Sequence, residues 1–468
     1  MTAYDLVIRG ADAVLPERGR TRCDIAVKDG KIAVILDPGA SADAGRTIDA
    51  NGLVALPGVI DAHLHLGHGK DISRPREASD AERETASAAI GGVTCMIPYL
   101  MASEPHEEIF EDVRDITEAG ARIDFGYHFI ISTEEQLASV PDYIVKYGAP
   151  TLKIFMNNRG GEGKRLGLPD IDDGFLFRLA EHAAAHGGMV APHPENIEIA
   201  WVMRERAMKA DPDGTGGLAS WDASRPDFVE AEAVQRSSYL ANVAGAPLYV
   251  VHTSSAAALE AGLVRRSAGD EIYFETCPHY LTHDVTDPIG AVGKINPPLR
   301  AKADRERLWE GVANGEIDTV ATDHVHRDIS SKDNGIWAAS PGCPGMETLL
   351  PVMLTEGYHA RGIPLERLVE VLSQNPARLM GLTTKGALAE GKDADIVLVD
   401  LEKEWVLSRE DVVSAAGYSI YEGKTFKGSI QHTLVRGTSV VEDGKLTEAS
   451  VGIGRYQHRK LELGGRRG

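Results

Sequence analysis

Between residues 59 and 323, short apolar runs alternate with longer stretches whose apolar positions recur at helical spacing. Eight such runs stand out, at 59–65, 93–99, 123–131, 151–156, 189–193, 248–253, 271–276 and 318–323. Helices with one polar face are predicted between them, at 80–90, 175–185, 228–244 and 305–313. Strand followed by helix, repeated eight times over about 265 residues, predicts a (β/α)8 barrel, a fold that typically takes about 250 residues. A doubly wound open sheet is the alternative. No GxGxxG follows the first run, so dinucleotide binding has no support.

The flanks read differently. Residues 4–9, 24–27 and 31–36 are β-rich, and Asp29–Gly30 is a hairpin signal. Helices are predicted at 346–360 and 365–374, and strand character returns at 396–399, 433–436 and 439–442. The expected organisation is a barrel over 59–384 and a small β-sandwich split between 1–58 and 385–468. The Gly- and Arg-rich end, 460–468, reads as a flexible tail.

Composition narrows the possibilities. Of 468 residues, 49 are basic and 70 acidic, a formal charge of −21 that disfavours nucleic acid and anionic membranes as partners. No apolar run reaches the length of a membrane span, and the N-terminus lacks a secretory pattern, so a cytoplasmic protein is expected. The cysteines, at 23, 95, 277 and 343, form no CxxC pair and read as reduced thiols.

In a barrel of this kind, working residues sit at the carboxyl ends of the strands. The first run ends in Asp61–Ala62–His63–Leu64–His65, where two imidazoles two residues apart point to one side. The fourth carries Lys153, the fifth ends in His193, the sixth reaches His252 and the eighth ends in Asp323. Each has a plainer reading: core histidines, a lysine paired with an acid, an aspartate capping a helix. Together they suggest a metal centre, because histidine and carboxylate are zinc-type ligands. A lysine inside an apolar strand is costly unless something uses it. Burial favours its neutral amine, which can add carbon dioxide to become an anionic, two-oxygen bridging ligand.

These residues resemble the cyclic amidohydrolases, the group of hydantoinase, dihydropyrimidinase, allantoinase and dihydroorotase. The similarity runs nearly end to end. It includes the His63/His65 motif, Lys153 in Leu–Lys–Ile–Phe–Met, His193–Pro–Glu195–Asn196, and His252 before Thr–Ser–Ser255. Glu275–Thr–Cys–Pro–His279–Tyr, Asn296–Pro–Pro–Leu–Arg300, Asp323–His324 and Asn375–Pro–Ala–Arg378 continue it. The resemblance implies a (β/α)8 barrel with a split β-sandwich, and two divalent metal ions of the zinc type. It also implies N6-carboxylysine at Lys153 and a homotetramer or homodimer. His63, His65, Lys153 and Asp323 would hold one ion, and Lys153, His193 and His252 the other. Asp323 would carry the proton during hydrolysis of a cyclic amide, ureide or imide. Allantoinase-like or dihydroorotase-like activity is an alternative, as is a non-catalytic scaffold related to dihydropyrimidinase.

The pocket departs from these relatives. Gly67, followed by His68, stands where dihydroorotases place a carboxylate-binding Arg. Asn296 is written as in dihydroorotases, where hydantoinases usually have Ser. Asn158 replaces a Tyr that donates to the oxyanion, and reads equally as an amide donor or as a loop residue. Asn158, Asn296, His68, Gly342 and Cys343 are the substrate-contact candidates. The glycine-rich stretch 160–163 reads as a mobile lid or as a plain connector.

Overall fold

The computed structural model describes residues 3–463. The expected eight runs form one parallel barrel. In order they are Val59–His65, Val93–Leu100, a third strand broken into Asp124–Phe125 and His128–Ile130, Thr151–Phe155, Met189–His193, Leu248–Val250, Ile272–Thr276, and an eighth broken into Thr319–Val320 and His324–Val325. The barrel closes where His324 and Val325 pair in parallel with Leu64 and His65. These strands are buried along almost their whole length, which is why they read as continuous apolar runs rather than alternating ones.

The breaks have local causes. Gly126 interrupts the third strand, and the Gly126 N–H bonds to the Met96 carbonyl. Asp323 interrupts the eighth with φ +47°, and His252 follows the sixth with φ +41°. Non-glycine residues with positive φ are uncommon and gather at functional sites. Both of these stand at the carboxyl mouth of the barrel.

The helices between strands include Ala78–Ile90, Asp173–His186, Asp227–Ala244 and Lys302–Asn314. Asp173–His186 begins and ends on readable signals. Asp172 accepts from the Phe175 N–H at 2.8 Å, and Gly187 closes the same helix with φ +75°. The long helices expected at 346–360 and 365–374 are instead segmented. Leu349–Val352 runs into a π-helical turn at Met353–His359, and Leu365–Val369 into another at Glu370–Gln374.

A second sheet of nine strands draws on both ends of the chain. Its N-terminal strands are Tyr4–Leu15, Gly19–Lys28, Lys31–Leu36, Ala44–Asp49 and Val54–Pro57, and its C-terminal ones begin with Ile396–Val406 and Thr425–Val435. The two ends meet where Ile396–Val399 runs antiparallel to Val54–Pro57. The sheet buries its own apolar cluster, including Leu6, Ile8, Ile25, Val27 and Leu434. At the C-terminal end, Leu461 and Leu463 pack against the barrel's interior cluster. Residues 464–468 of the expected tail lie outside the described residues. All four cysteines are free and buried. Among the described residues, no helix is long and apolar enough to cross a membrane.

Candidate metal centre at the barrel mouth

His63, His65, Lys153, His193, His252 and Asp323 converge on one cleft at the carboxyl ends of the strands. His63, His65 and Asp323 offer ligand atoms that all lie within 4.8 Å of one another. The His63 and His252 ring centroids are 5.3 Å apart, and those of His193 and His252 4.6 Å.

The hydrogen bonds behind the rings decide which lone pairs face inward. His63 Nδ1 donates to Glu275 Oε1 at 2.5 Å, which leaves its Nε2 as an acceptor. That Nε2 lies 3.0 Å from Asp323 Oδ1, and His65 Nε2 lies 3.8 Å from the same oxygen. His193 Nε2 donates to Glu195 Oε2 at 2.6 Å, so its Nδ1 is likewise an acceptor, and it faces His252 Nε2 at 2.9 Å. Glu195 is held in turn by Arg225 at 2.7 Å. The His193 and His252 rings can share a hydrogen bond there, whereas His63 Nε2 and His65 Nδ1 are buried with no hydrogen-bond partner among the described residues. Four imidazoles and a carboxylate gathered this closely are a donor set that zinc-type ions take.

Burial and charge pull the ligand candidates in different directions. Burial pulls the His63 imidazole down, but the fields of Glu275 and Asp323 outweigh it and raise its pKa. Burial lowers His65 to about 3 and takes His252 well below the usual imidazole range. Asp323 is buried, which alone would raise it, yet His63, His65 and Lys153 hold it well below the usual carboxylate range. Burial lowers the Lys153 amine to about 8, against the fields of Asp323 and Glu275. Its Nζ lies 4.5 Å from the centroid of the Tyr99 ring.

Asp61, which shares the first strand with the two histidines, has another task. It accepts from the Thr322 N–H at 3.0 Å and from Thr322 Oγ1 at 2.6 Å, tying the first strand to the eighth beside Asp323. Burial raises its pKa to about 6.

The substrate-contact candidates divide. Asn296 and Gly342 line the cleft. Asn158 does not. Its side chain packs under Gly163, its carbonyl accepts from the Ile171 N–H, and the neighbouring Asn157 takes the lining position. His68 is exposed and lies in a separate surface groove, paired with Asp80 at 3.0 Å. Cys343 is buried behind the wall, where its carbonyl accepts from the Val325 N–H at 3.0 Å. At Gly67 a Cβ would sit 2.0 Å from the Asp71 carbonyl, so that slot admits no side chain and no clamp. The 160–163 stretch is tied to the neighbouring helix, since Trp201 Nε1 donates to Glu162 Oε1 at 3.0 Å.

Tyr99, Asn157 and Arg327 also belong to the site, though no motif marks Tyr99 or Asn157. Asn157 Oδ1 and Asn296 Oδ1 are both buried without a hydrogen-bond partner among the described residues. Apolar walls from Ile72, Met101, Phe155, Leu166 and Val325 complete the cleft.

Fold and site together define a metal-dependent hydrolase on a (β/α)8 barrel. The amidohydrolase family model matches residues 236–440. An L-hydantoinase of Paenarthrobacter aurescens is 33% identical over 473 residues, covering 98% of each chain. An allantoinase of Rubrobacter xylanophilus is 35% identical over 480 residues, covering both chains in full. The solved structure of an L-hydantoinase (dihydropyrimidinase) from Arthrobacter aurescens superposes with a TM-score of 0.89 at 32% identity, covering 97% of this chain and 99% of that one. The chain belongs to the amidohydrolase family, and it is a hydrolase of the cyclic-amide type.

Proposed function

We propose that this enzyme opens the ring of a small cyclic amide, ureide or imide with two divalent ions, of the zinc type, held at the barrel mouth. The observation that carries the reading is the gathering of His63, His65 and Asp323, whose ligand atoms lie within 4.8 Å of one another, in the same cleft as Lys153, His193 and His252. His63, His65 and Asp323 would hold one ion, and His193 and His252 the other. Lys153 would bridge them as N6-carboxylysine: its neutral Nζ adds to carbon dioxide, one N–C bond forms and one proton leaves. Such ions, when bound, supply a water acidic enough to attack at neutral pH and polarise the scissile carbonyl.

The chain's own groups do the rest. Asp323, at the edge of the cleft, accepts the proton of the attacking water and returns it to the ring nitrogen that leaves. The buried Oδ1 atoms of Asn157 and Asn296 suit the N–H groups that a cyclic amide or ureide presents. The apolar walls keep bulk water from the ring, which strengthens these polar contacts. The hydantoinase and allantoinase relatives act on rings of this kind. Assembly as a homotetramer or homodimer belongs to the same reading. It is supported by large apolar side chains on the outside of one helix of the barrel, Phe228, Tyr239 and Val243.

The test is metal analysis of the purified protein, with ring opening assayed over hydantoin, dihydrouracil, allantoin, dihydroorotate and succinimide. Two ions per chain and turnover of at least one ring are expected. A metal-free protein that opens a ring at full rate would remove the basis of the proposal. Labelling with 13C-bicarbonate should give a carbamate carbon resonance that Lys153→Arg lacks.

A further inference from the structure

Apart from the six ligand candidates and Arg327, the side chains with nitrogen or oxygen that line the cleft are Asn157 and Asn296, among the described residues. Asn157 stands on the turn that leaves the Lys153 strand. The turn starts at Phe155, whose ring centroid lies 5.8 Å from that of His193 and 5.6 Å from Lys153 Nζ. Its backbone is held from both sides. The Asn158 N–H bonds to the Phe155 carbonyl at 3.0 Å, the Arg159 N–H to the Asn157 carbonyl at 3.0 Å, and the Ile171 N–H to the Asn158 carbonyl at 2.8 Å. Arg159 is in turn paired with Asp173 at 2.5 Å. A carboxamide is therefore presented to the cleft from a fixed stem beside the ligand candidates. Its Oδ1 is buried and has no hydrogen-bond partner among the described residues.

The chemistry of a small ring says what such a group would meet. A linear secondary amide is trans, so its N–H and C=O point opposite ways. A small ring forces the amide cis and sets N–H and C=O side by side. A carboxamide carries an acceptor and donors side by side in one plane. It can pair with that edge through two hydrogen bonds, as asparagine does with the edge of adenine. Under the ring-opening reading, the ions and Asp323 take the scissile carbonyl and its nitrogen, so the edge left for Asn157 is one that is not cut. A simple lactam has no such edge, and a cyclic ureide has one. We infer that Asn157 is a specificity residue that binds the uncut cis-amide edge of a cyclic ureide, N–H and C=O together. The inference rests on the ring-opening reading above and adds to it a second amide with a free N–H.

The test uses the metal-loaded enzyme in two arms. Ring opening is read as kcat/KM on hydantoin and on hydantoin methylated at the nitrogen that stays with the product. Binding is read by calorimetry with ethylene urea, a cyclic urea that keeps the edge and lacks the scissile carbonyl, against its N,N′-dimethyl form. Methylation removes the N–H and leaves Oδ1 buried and unpaired, so the wild type should prefer the free N–H by about 20-fold or more in both arms, chiefly in KM and Kd. Asn157→Ala should cut the preference to about threefold or less, because no buried acceptor is then left to satisfy. Asn157→Ser, a milder change, carries the comparison if the alanine variant does not fold. Asn157→Asp keeps an acceptor but turns a second oxygen towards the ring carbonyl, and should weaken ethylene urea binding about tenfold. Equal wild-type affinity for the free and methylated rings, a preference that survives the loss of the carboxamide, or undiminished binding in Asn157→Asp overturns the inference. If no ring is opened but the calorimetric preference is present and vanishes with Asn157, the role of Asn157 stands and the ring-opening reading is what fails.

Discussion

Glu275 Oε1 accepts the ring N–H of His63 at 2.5 Å, and the same oxygen accepts the backbone N–H of His252 at 2.9 Å. Its other oxygen accepts from Tyr249 Oη at 2.8 Å. One buried carboxylate on the seventh strand thus orients candidate ligands from the first and sixth, one for each ion. Glu195 does for His193 what Glu275 does for His63.

Glu275→Gln keeps the size of the side chain and removes its charge. The amide cannot satisfy the ring N–H, the backbone N–H and the tyrosine as well as a carboxylate does. Loss of such an outer partner typically weakens metal affinity by about 10- to 100-fold. Chelator competition should show that loss while circular dichroism stays native. Undiminished affinity would mean that the His63 tautomer is not set from Glu275.

Lys153→Ala removes the bridging ligand without touching any imidazole. Ring-opening activity should fall by at least about 100-fold, and bound metal should drop towards one ion per chain. A short carboxylate such as formate or propionate, in excess, should restore part of both. Full metal content and wild-type rates with no carboxylate supplied would contradict a bridging role for Lys153.

The barrel was legible because its strands are buried on both faces and its helices are amphipathic, so the eight-fold rhythm survives in the apolar pattern. The gathering of the six ligand candidates was legible for a related reason: they lie on barrel strands or just past their carboxyl ends, and those ends share one mouth. Register within loops was not. Asn158 and Asn157 differ by one position, and the tight turn after the fourth strand, with Asn158 N–H bonded to the Phe155 carbonyl and the Asn158 carbonyl to Ile171 N–H, leaves Asn157 as the residue that lines the cleft. His68 lies three residues from His65, yet a tight turn between His68 and Asp71 carries it to the surface. The π-helical turns after residue 352 were also hidden, because one extra residue per turn barely disturbs helical periodicity.

Lys385 joins the two sheets. Its buried Nζ meets Asp124 of the third barrel strand at 2.6 Å, and Asp395 and Asp393 at 2.7 and 3.2 Å on the chain's return to the second sheet. Lys385→Met would leave these carboxylates crowded around Arg436. Breaking a buried ion pair from one side costs about 3–5 kcal/mol. A corresponding drop in denaturant stability is expected, with part of it recovered when Asp395→Asn is added. A stability equal to the wild type's would show that the cluster relaxes or hydrates at no cost.

His106 gives a pH prediction away from the metal site. Its ring is buried, its Nε2 bonds to the Ile130 carbonyl at 2.8 Å, and its Nδ1 has no partner among the described residues. Burial lowers its pKa from 6.5 to about 4, although the Ile130 bond and Glu107 oppose the shift. Below pH 6.5 the unfolded chain takes up a proton that the folded protein refuses until about pH 4. Stability is therefore lost as pH falls through that window, by about 2.5 kcal/mol at pH 4.5 from this one group. His106→Gln should be less stable than the wild type at pH 7, and the gap should narrow by about that amount at pH 4.5. Urea midpoints at both pH values measure it, and a gap that stays constant would show that burial does not shift the His106 pKa from its unfolded-chain value.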